Sequence, residues 1–232
     1  MPISENIALI KERINIAARR AGRNSADVKL MAVSKTHPAE RIREAYAAGL
    51  RIFGENRVQE FAEKAGDLSD LVEASWHLIG HLQSNKAGKA VELFSAVDSV
   101  DSLKLAQKLN ASAAQAGKNL SILVEINIGG EEAKSGIAPG SQELSEVLAG
   151  APEWEHLSIL GLMTIPPFTE DPQLARPYFK KLRELRDEIA ARKLPSIDMD
   201  VLSMGMSHDF EVAIEEGSTC VRVGTAIFGQ RE

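Results

Sequence analysis

The stretch "VKLMAVSKTHPAERIREAYAAGL", residues 28–50, contains one complete strand and helix unit of the chain. Its first eight residues are mostly apolar and end at Lys35, a pattern typical of a buried strand with a charged residue at its end. Pro38 can begin a helix, and Gly49 can end one because glycine readily adopts the left-handed backbone that follows a helix. We therefore predict a strand that runs to the lysine and then a helix over 38–48.

The same alternation recurs along the whole chain. The apolar runs are VKLMAVSK, RIFGEN, SWHLIG, FSAVDSV, LSILVEINI, LSILGLMTI, DMDVLSMG and TCVRVG. Further helices are predicted from 58, from 85, over 102–116, over 142–148, over 172–192 and over 208–216. Eight strands that alternate with helices over about 210 residues fit a closed, parallel (β/α)8 TIM barrel, with an open doubly wound sheet as the alternative.

The predicted barrel forms one domain with an additional helix in front of it. Residues 1–22 carry Ile7, Ile10 and Ile14 at helical spacing, and the barrel is predicted over 27–232. No linker rich in proline, glycine or serine divides the chain. We therefore treat residues 1–232 as a single α/β domain.

The composition is that of an ordinary globular protein, with 232 residues, 44% hydrophobic, 26% charged and a formal net charge of -6. Acidic and basic residues are interleaved, so no basic stripe is present to bind nucleic acid. No apolar stretch resembles a signal peptide or a membrane span. The single cysteine, Cys220, excludes an internal disulfide and suits a reducing compartment. We predict a cytoplasmic protein, and a monomer because no surplus apolar stripe marks an interface.

Four polar residues lie late in predicted strands, namely Lys35, Glu125, Asn127 and Arg222. Side chains alternate along a strand, and this alternation allows all four to point into the barrel near its carboxyl-terminal end, where barrel active sites are built. Alternatively, Lys35 only extends into solvent. A partly desolvated lysine beside a cation has a lowered pKa and can form a Schiff base with a carbonyl compound.

Two glycine-containing stretches resemble anion-binding loops. "LSMGMSHDF" (202–210) leaves the seventh strand, and "RVGTAIFG" (222–229) leaves the eighth through Gly224 and Thr225. Loops at these positions commonly bind phosphate in TIM barrels, although a glycine there can serve the turn alone. A lysine and a phosphate site together indicate a phosphorylated carbonyl compound, and pyridoxal phosphate carries both groups.

Seven motifs in this order resemble those of a known family. They are AVSKTHP, FGENRVQE, WHLIGHLQSNK, EEAKSGI, LGLMTIP, LSMGMSHDFEVAIEEGST and VRVGTAIFGQR. The sequence resembles the pyridoxal phosphate homeostasis proteins, whose fold is similar to the barrel domain of alanine racemase. Leu78 and His81 depart from the residues that are usual in this family, but neither departure touches a proposed cofactor contact.

The resemblance implies a cofactor site and a role for each residue in it. Lys35 would hold pyridoxal 5'-phosphate as a Schiff base, and Arg222 would face the pyridine nitrogen. The other implied contacts are Ser203, Gly224 and Thr225 to the phosphate and Asn56 near the ring. An arginine only donates hydrogen bonds and leaves the pyridine nitrogen unprotonated, so the cofactor would be a weak electron sink. The resemblance therefore implies vitamin B6 homeostasis, in which the protein buffers the cofactor or delivers it transiently to apo-enzymes, without appreciable catalysis.

Two enzyme functions are the alternatives. A pyridoxal phosphate-dependent amino acid racemase would need a second base, which in alanine racemase is a tyrosine from a separate domain. Tyr46 and Tyr178 fall in predicted outer helices, and because the chain ends eight residues after Gly224 we expect no such domain. A Schiff-base aldolase acting on a phosphorylated sugar would use the same lysine and phosphate loops. Only the pyridoxal compound would make the protein yellow.

Several other polar residues have a simpler interpretation. Lys134 is expected to be a solvated loop lysine, with a second docking point for cofactor as the alternative. His77 could reach the active-site end of the barrel or hydrogen-bond within the core. The histidines lack the spacing of a metal site. Asp209 and Glu211 are expected to complement the dipole of the helix that follows the seventh strand.

Overall fold

The computed structural model, which describes residues 1–131 and 135–229, contains a closed barrel of eight parallel strands paired in sequence order, so that β8 closes the barrel against β1. The strands are β1 (Lys29–Val33), β2 (Ile52–Glu55), β3 (Ser75–Leu78), β4 (Ala96–Val100), β5 (Leu120–Glu125), β6 (Leu157–Met163), β7 (Ile197–Met206) and β8 (Cys220–Val223). The predicted (β/α)8 barrel is confirmed.

Helices cover the outside of the barrel. They are α1 (Ile3–Arg20), α2 (Ala39–Ala47), α3 (Val58–Lys64), α4 (Ala87–Leu93), α5 (Leu103–Ala116), α6 (Gln142–Gly150), α7 (Arg176–Ala191), α8 (Phe210–Glu215) and α9 (Thr225–Phe228). Among the residues described, no helix combines the length and the apolar character needed to cross a membrane.

The N-terminal helix completes the outer ring of helices. In a TIM barrel each strand is followed by a helix, and within the described residues β8 is followed by the four-residue α9. Helix α1 packs against α8, α9 and α2, and Ile7, Ile10 and Ile14 are buried along the face that does so. Asn6 also donates a hydrogen bond to the carbonyl oxygen of Ile227 at 2.9 Å. Helix α1 therefore occupies the place that an eighth outer helix would take.

The strands present one face to the barrel interior and the other to the helices, as the alternation predicts. In β1, Met31 is buried in a small interior cluster with Ile79 and Cys220. Its neighbour Ala32 belongs to the larger core between the strands and the helices. Gly54 leaves room for this arrangement, because a Cβ atom there would lie 2.8 Å from Met31 Sδ. The burial of Cys220 agrees with its expected role as a small apolar residue.

The structure corrects three predicted details. β1 and β5 are shorter than predicted, so Lys35 and Asn127 lie in loops rather than in strands. The Asn127 amide donates to the carbonyl oxygen of Glu131 at 2.9 Å within its own loop, so its expected direction into the barrel was wrong. The predicted helix over 172–192 begins as a separate 3-10 turn, which changes the helical phase and leaves Leu174 60% exposed.

Candidate functional site

Lys35 lies in a tight turn at the carboxyl-terminal end of the barrel. β1 ends at Val33, and residues 34–37, here called the lysine turn, lead to the start of α2. Thr36 in this turn has a φ of 66°, a left-handed conformation that costs a non-glycine residue roughly 1–2 kcal/mol. Such a conformation persists only where surrounding contacts hold it.

Charged residues of β2 and α3 supply those contacts. Lys64 Nζ lies 2.9 Å from Glu55 Oε1 and donates to the carbonyl oxygen of Ser34 at 3.2 Å. Ser34 Oγ donates to the same Glu55 oxygen at 2.6 Å. The backbone N–H of Thr36 donates to the Glu60 carboxylate. The next strand and helix therefore fix the backbone on both sides of Lys35.

Arg222 is buried inside the barrel and links the ends of three strands. It is 3% exposed. Its Nη1 donates to the carbonyl oxygen and the hydroxyl of Ser203 at 2.7 Å each, and its Nη2 donates to the carbonyl oxygen of Thr164 at 2.7 Å. Thr164 Oγ1 in turn donates to the carbonyl oxygen of Ile126 at 2.7 Å. The guanidinium is therefore held in one orientation by neutral acceptors, which leave its positive charge uncompensated at close range.

The loops after β7 and β8 meet beside β1. The N–H of Gly224 donates to Ser207 Oγ at 3.3 Å, which joins the two loops. A Cβ atom at Gly224 would lie 3.2 Å from the carbonyl oxygen of Val33, so this loop packs directly against the end of β1. Thr225 is the first residue of α9. The predicted phosphate loops and the lysine turn are thus neighbours at one end of the barrel.

A cavity of about 250 Å³ lies at the same end of the barrel. It is lined by Asn56, Ile79, Gly80, His81, Glu125, Ile126, Ser135 and Ile165. A Cβ atom at Gly80 would lie 2.4 Å from the carbonyl oxygen of Asn56, so only a glycine allows this close approach. The structure therefore places Asn56 in the mouth of the barrel.

Glu125 is the buried acid of this cavity. Burial raises its pKa to about 7, and the charge of Asp101 adds to this effect, while Arg222 and His81 act in the opposite direction. His81 Nδ1 lies 2.8 Å from Asp101 Oδ2. Near neutral pH the side chain of Glu125 is therefore divided between its protonated and ionised forms.

Other predicted residues lie elsewhere in the molecule. His77 does not reach the mouth and instead contacts Asp98 near the amino-terminal end of the barrel. Tyr46 and Tyr178 lie on the outer helices α2 and α7. Lys134 lies outside the described residues.

The two predicted dipole partners of α8 also make specific side-chain contacts. Asp209 accepts a hydrogen bond from the N–H of Met206 at 2.6 Å, so it bonds the preceding turn. Glu211 forms an ion pair with Arg13 of α1 at 2.8 Å, so it ties α8 to the N-terminal helix. Within 1–131 and 135–229, no group of three or more His, Cys, Asp or Glu side chains could hold a metal ion.

Sequence reasoning missed three contributors to the site. The hydroxyl that accepts a hydrogen bond from the N–H of Gly224 belongs to Ser207 and not to Ser203. In the sequence, the position of Ser207 at the start of a loop pointed to this role. No sequence pattern predicts the ion pair between Glu55 and Lys64, because the two residues belong to different elements. The carbonyl oxygen of Thr164 could not be identified, since every residue has one.

The chemistry of the donors fits a pyridoxal phosphate site. Arg222 offers an N–H donor at Nε that has no hydrogen-bond partner within the described ranges, and an arginine can only donate to a pyridine nitrogen. The loop at Gly224 and Thr225 offers backbone N–H groups without intrahelical partners, since α9 begins there. Lys35 supplies an amine on the adjacent strand end.

Comparison with known proteins defines the class first. The family model described as alanine racemase, N-terminal domain, matches residues 6–232. Alanine racemase from Clostridium difficile superposes with a TM-score of 0.74 at 16% identity, covering 99% of this chain and 57% of the racemase chain. At that identity the likeness concerns the fold alone, which is the alanine racemase type of barrel.

Closer relatives identify the family. The pyridoxal phosphate homeostasis protein of Aquifex aeolicus is 46% identical over 232 residues, covering 100% of both chains, and that of Escherichia coli is 41% identical over 232 residues, covering 99% and 97%. PipY of Synechococcus elongatus, solved with PLP bound, is 38% identical with a TM-score of 0.81, covering 98% of this chain and 100% of PipY. The chain belongs to the pyridoxal phosphate homeostasis protein family.

Proposed function

We propose that this protein binds pyridoxal 5'-phosphate at the carboxyl-terminal mouth of the barrel and serves in cofactor homeostasis rather than in catalysis. Lys35 would hold the cofactor covalently through its amine, and Asn56 would lie beside the ring. Gly224, Thr225 and Ser207 would bind the phosphate. Ser203 was predicted to join the phosphate contacts, and its bond to Arg222 supports a role in orienting that arginine instead.

The orientation of Arg222 is the observation that carries this proposal. Bound pyridoxal phosphate supplies an aldehyde for covalent attachment and, where its pyridine nitrogen is protonated, a sink for electrons. Arg222 is buried, donates to Ser203 and Thr164, and has no proton to give up at physiological pH. Facing the pyridine nitrogen, it would leave that nitrogen unprotonated, so binding is favoured over carbanion chemistry.

The names of the relatives support the same role. A family of homeostasis proteins is expected to hold the cofactor reversibly. We infer that the protein works as a cytoplasmic monomer that gives up cofactor transiently to apo-enzymes. Mixing the loaded protein with an apo-enzyme across a dialysis membrane, and with free contact, would show whether transfer requires the two proteins to meet.

Reduction with borohydride tests the binding site. Purified protein incubated with pyridoxal phosphate is expected to turn yellow and, after reduction and peptide mapping, to carry a pyridoxyl group on Lys35. Lys35→Ala should lose the adduct, whereas Lys104→Ala, which removes an exposed lysine on α5, should keep it. An adduct spread over several surface lysines would contradict the proposal.

Proton exchange separates carrier from racemase. In deuterated water, a racemase exchanges the α-proton of its amino acid substrate. We expect no exchange of alanine or serine beyond that caused by free pyridoxal phosphate. Exchange that is fast and is lost in Lys35→Ala would support a racemase.

A further inference from the structure

A second cavity lies at the opposite, amino-terminal end of the barrel. Its volume is about 450 Å³, within the range of known small-molecule pockets. Lys29, Ile52, Ser75, Ala96 and Cys220 line it, and each is the first residue of its strand. We call it the basal cavity. None of its lining residues borders the mouth cavity, so the two spaces are distinct.

Most of the wall of the basal cavity is apolar. Ile52, Leu123, Leu160 and Val201 contribute aliphatic side chains. Burial raises the pKa of the Cys220 thiol to about 12, and the charge of Asp98 adds to this effect, so the thiol stays neutral. The wall therefore suits an alkyl chain better than a fully hydrated ion.

A chain of hydrogen bonds at one side of the cavity includes His77. Ser95 Oγ donates to the carbonyl oxygen of Trp76 at 3.0 Å and lies 2.9 Å from Ser75 Oγ. Ser75 Oγ in turn lies 3.1 Å from His77 Nε2. His77 Nδ1 lies 3.1 Å from both carboxylate oxygens of Asp98.

The carboxylate of Asp98 favours the protonated form of the His77 ring. Burial of the ring lowers the pKa of His77, but the charge of Asp98 and the hydrogen bond to it together raise that pKa above its ordinary value.

Two polar groups in the basal cavity have no partner. The ammonium group of Lys29 and the hydroxyl of Ser121 make no hydrogen bond or ion pair with any residue in the described part of the chain. Lys29 shares the inward face of β1 with Met31, and Ser121 shares that of β5 with Leu123. Lys29 is exposed, so water solvates its ammonium group in the free protein, and Ser121 is partly buried.

Charge defines what the cavity can accept. Asp98 is paired with His77, whereas the ammonium group of Lys29 has no ion-pair partner in the described part of the chain, so its positive charge is available to a ligand. A monoanion would match that charge, whereas a phosphate dianion would exceed it and would leave the aliphatic wall unfilled. The buried Arg222 lies toward the opposite end of β8 and is held by Ser203 and Thr164.

We propose that the basal cavity is a second small-molecule site, which binds a short-chain monocarboxylate with its carboxylate at Lys29 and Ser121 and its alkyl chain against Ile52, Leu123 and Val201. This site is independent of the cofactor site in chemistry and in position.

Calorimetric titration with pentanoate tests the proposal on the full chain. Pentanoate is expected to bind saturably at millimolar concentration, and its neutral analogue pentanamide and the tailless acetate are each expected to bind at least tenfold more weakly. In nuclear magnetic resonance spectra the ring signals of His77 should shift on addition of pentanoate. Binding should persist in Lys35→Ala, which separates this site from the mouth.

Variants identify the groups that bind the probe. Lys29→Met and Ser121→Ala should each weaken pentanoate binding, the first at least tenfold, without changing the far-ultraviolet circular dichroism. Lys104→Met, which removes an exposed lysine on α5, should leave the affinity unchanged. Absence of saturable binding, equal affinity for pentanoate and pentanamide, or full affinity in Lys29→Met would overturn the proposal.

Discussion

Single residues at the mouth of the barrel carry charge in places where water is scarce. Arg222 donates its hydrogen bonds to the neutral acceptors Ser203 and Thr164, and Glu125 faces the same interior from β5. The strand alternation predicted that both point inward, and both are buried. It could not predict their protonation, because that depends on burial and on charges brought from other strands.

Glu125 should make the stability of the protein depend on pH. Its folded-state pKa of about 7 lies above the ordinary value of 4.5. The carboxyl group therefore contributes stability that is full below about pH 4.5 and is lost as the pH rises through 7, by up to about 3 kcal/mol. Chemical denaturation of wild type and Glu125→Gln at several pH values should show the wild type losing stability relative to the variant over this window.

Glu63→Gln provides the control for this experiment. Glu63 is exposed on α3, so its replacement should leave the pH dependence of stability unchanged. If the free-energy difference between wild type and Glu125→Gln stays constant from pH 4.5 to 8, the inferred burial of the carboxyl group is wrong.

Neighbouring elements cooperate to build each functional loop. The lysine turn follows β1, but its backbone is held by Glu55 at the end of β2 and by Lys64 at the end of α3. Burial raises the pKa of Glu55 more than the charge of Lys64 and the bond from Ser34 lower it, and its Oε2 has no hydrogen-bond partner within the described residues. The ion pair therefore positions the lysine turn but lowers the free energy of unfolding.

Removing the cation of this pair should be strongly destabilising. Lys64→Met would leave the Glu55 carboxylate buried without its partner and should cost about 3–5 kcal/mol in the free energy of unfolding. The double variant Glu55→Gln with Lys64→Met should recover part of this loss, because no unpaired charge remains. Urea denaturation of the wild type and these two variants measures both effects.

An exposed lysine offers the matched control. Lys89 pairs with Glu92 at 2.7 Å, with more than half of each side chain in solvent. Lys89→Met should therefore cost less than about 1 kcal/mol. Equal losses for Lys64→Met and Lys89→Met would show that the buried pair does not hold the lysine turn.

At the scale of the whole molecule, α1 closes the ring of outer helices. Ile10 on its buried face is 2% exposed, and the adjacent Leu9 on its outer face is 56% exposed. The sequence predicted the helix and its apolar face but not its place, since helical spacing does not say which elements cover that face. Contact with α8 and α9 couples this helix to the loops after β7 and β8.

Substitutions at these two neighbouring positions test that role. Ile10→Ala should lower the free energy of unfolding by about 2–5 kcal/mol, because it leaves a cavity between packed helices. Leu9→Ala should change it by less than about 0.5 kcal/mol. Thermal or urea denaturation compares them directly, and similar values for the two variants would contradict the packing of α1 against the barrel.

The sequence by itself determined the order of strands and helices, the inward face of each strand and the presence of a lysine and two glycine loops at the strand ends. These features follow from local periodicity and from backbone preferences, which neighbouring residues set. Only the tertiary structure decided that Ser207 lies at Gly224, that Lys64 holds the lysine turn and that His77 faces a second cavity. Those contacts join residues far apart in the chain, and closure of the barrel brings them together.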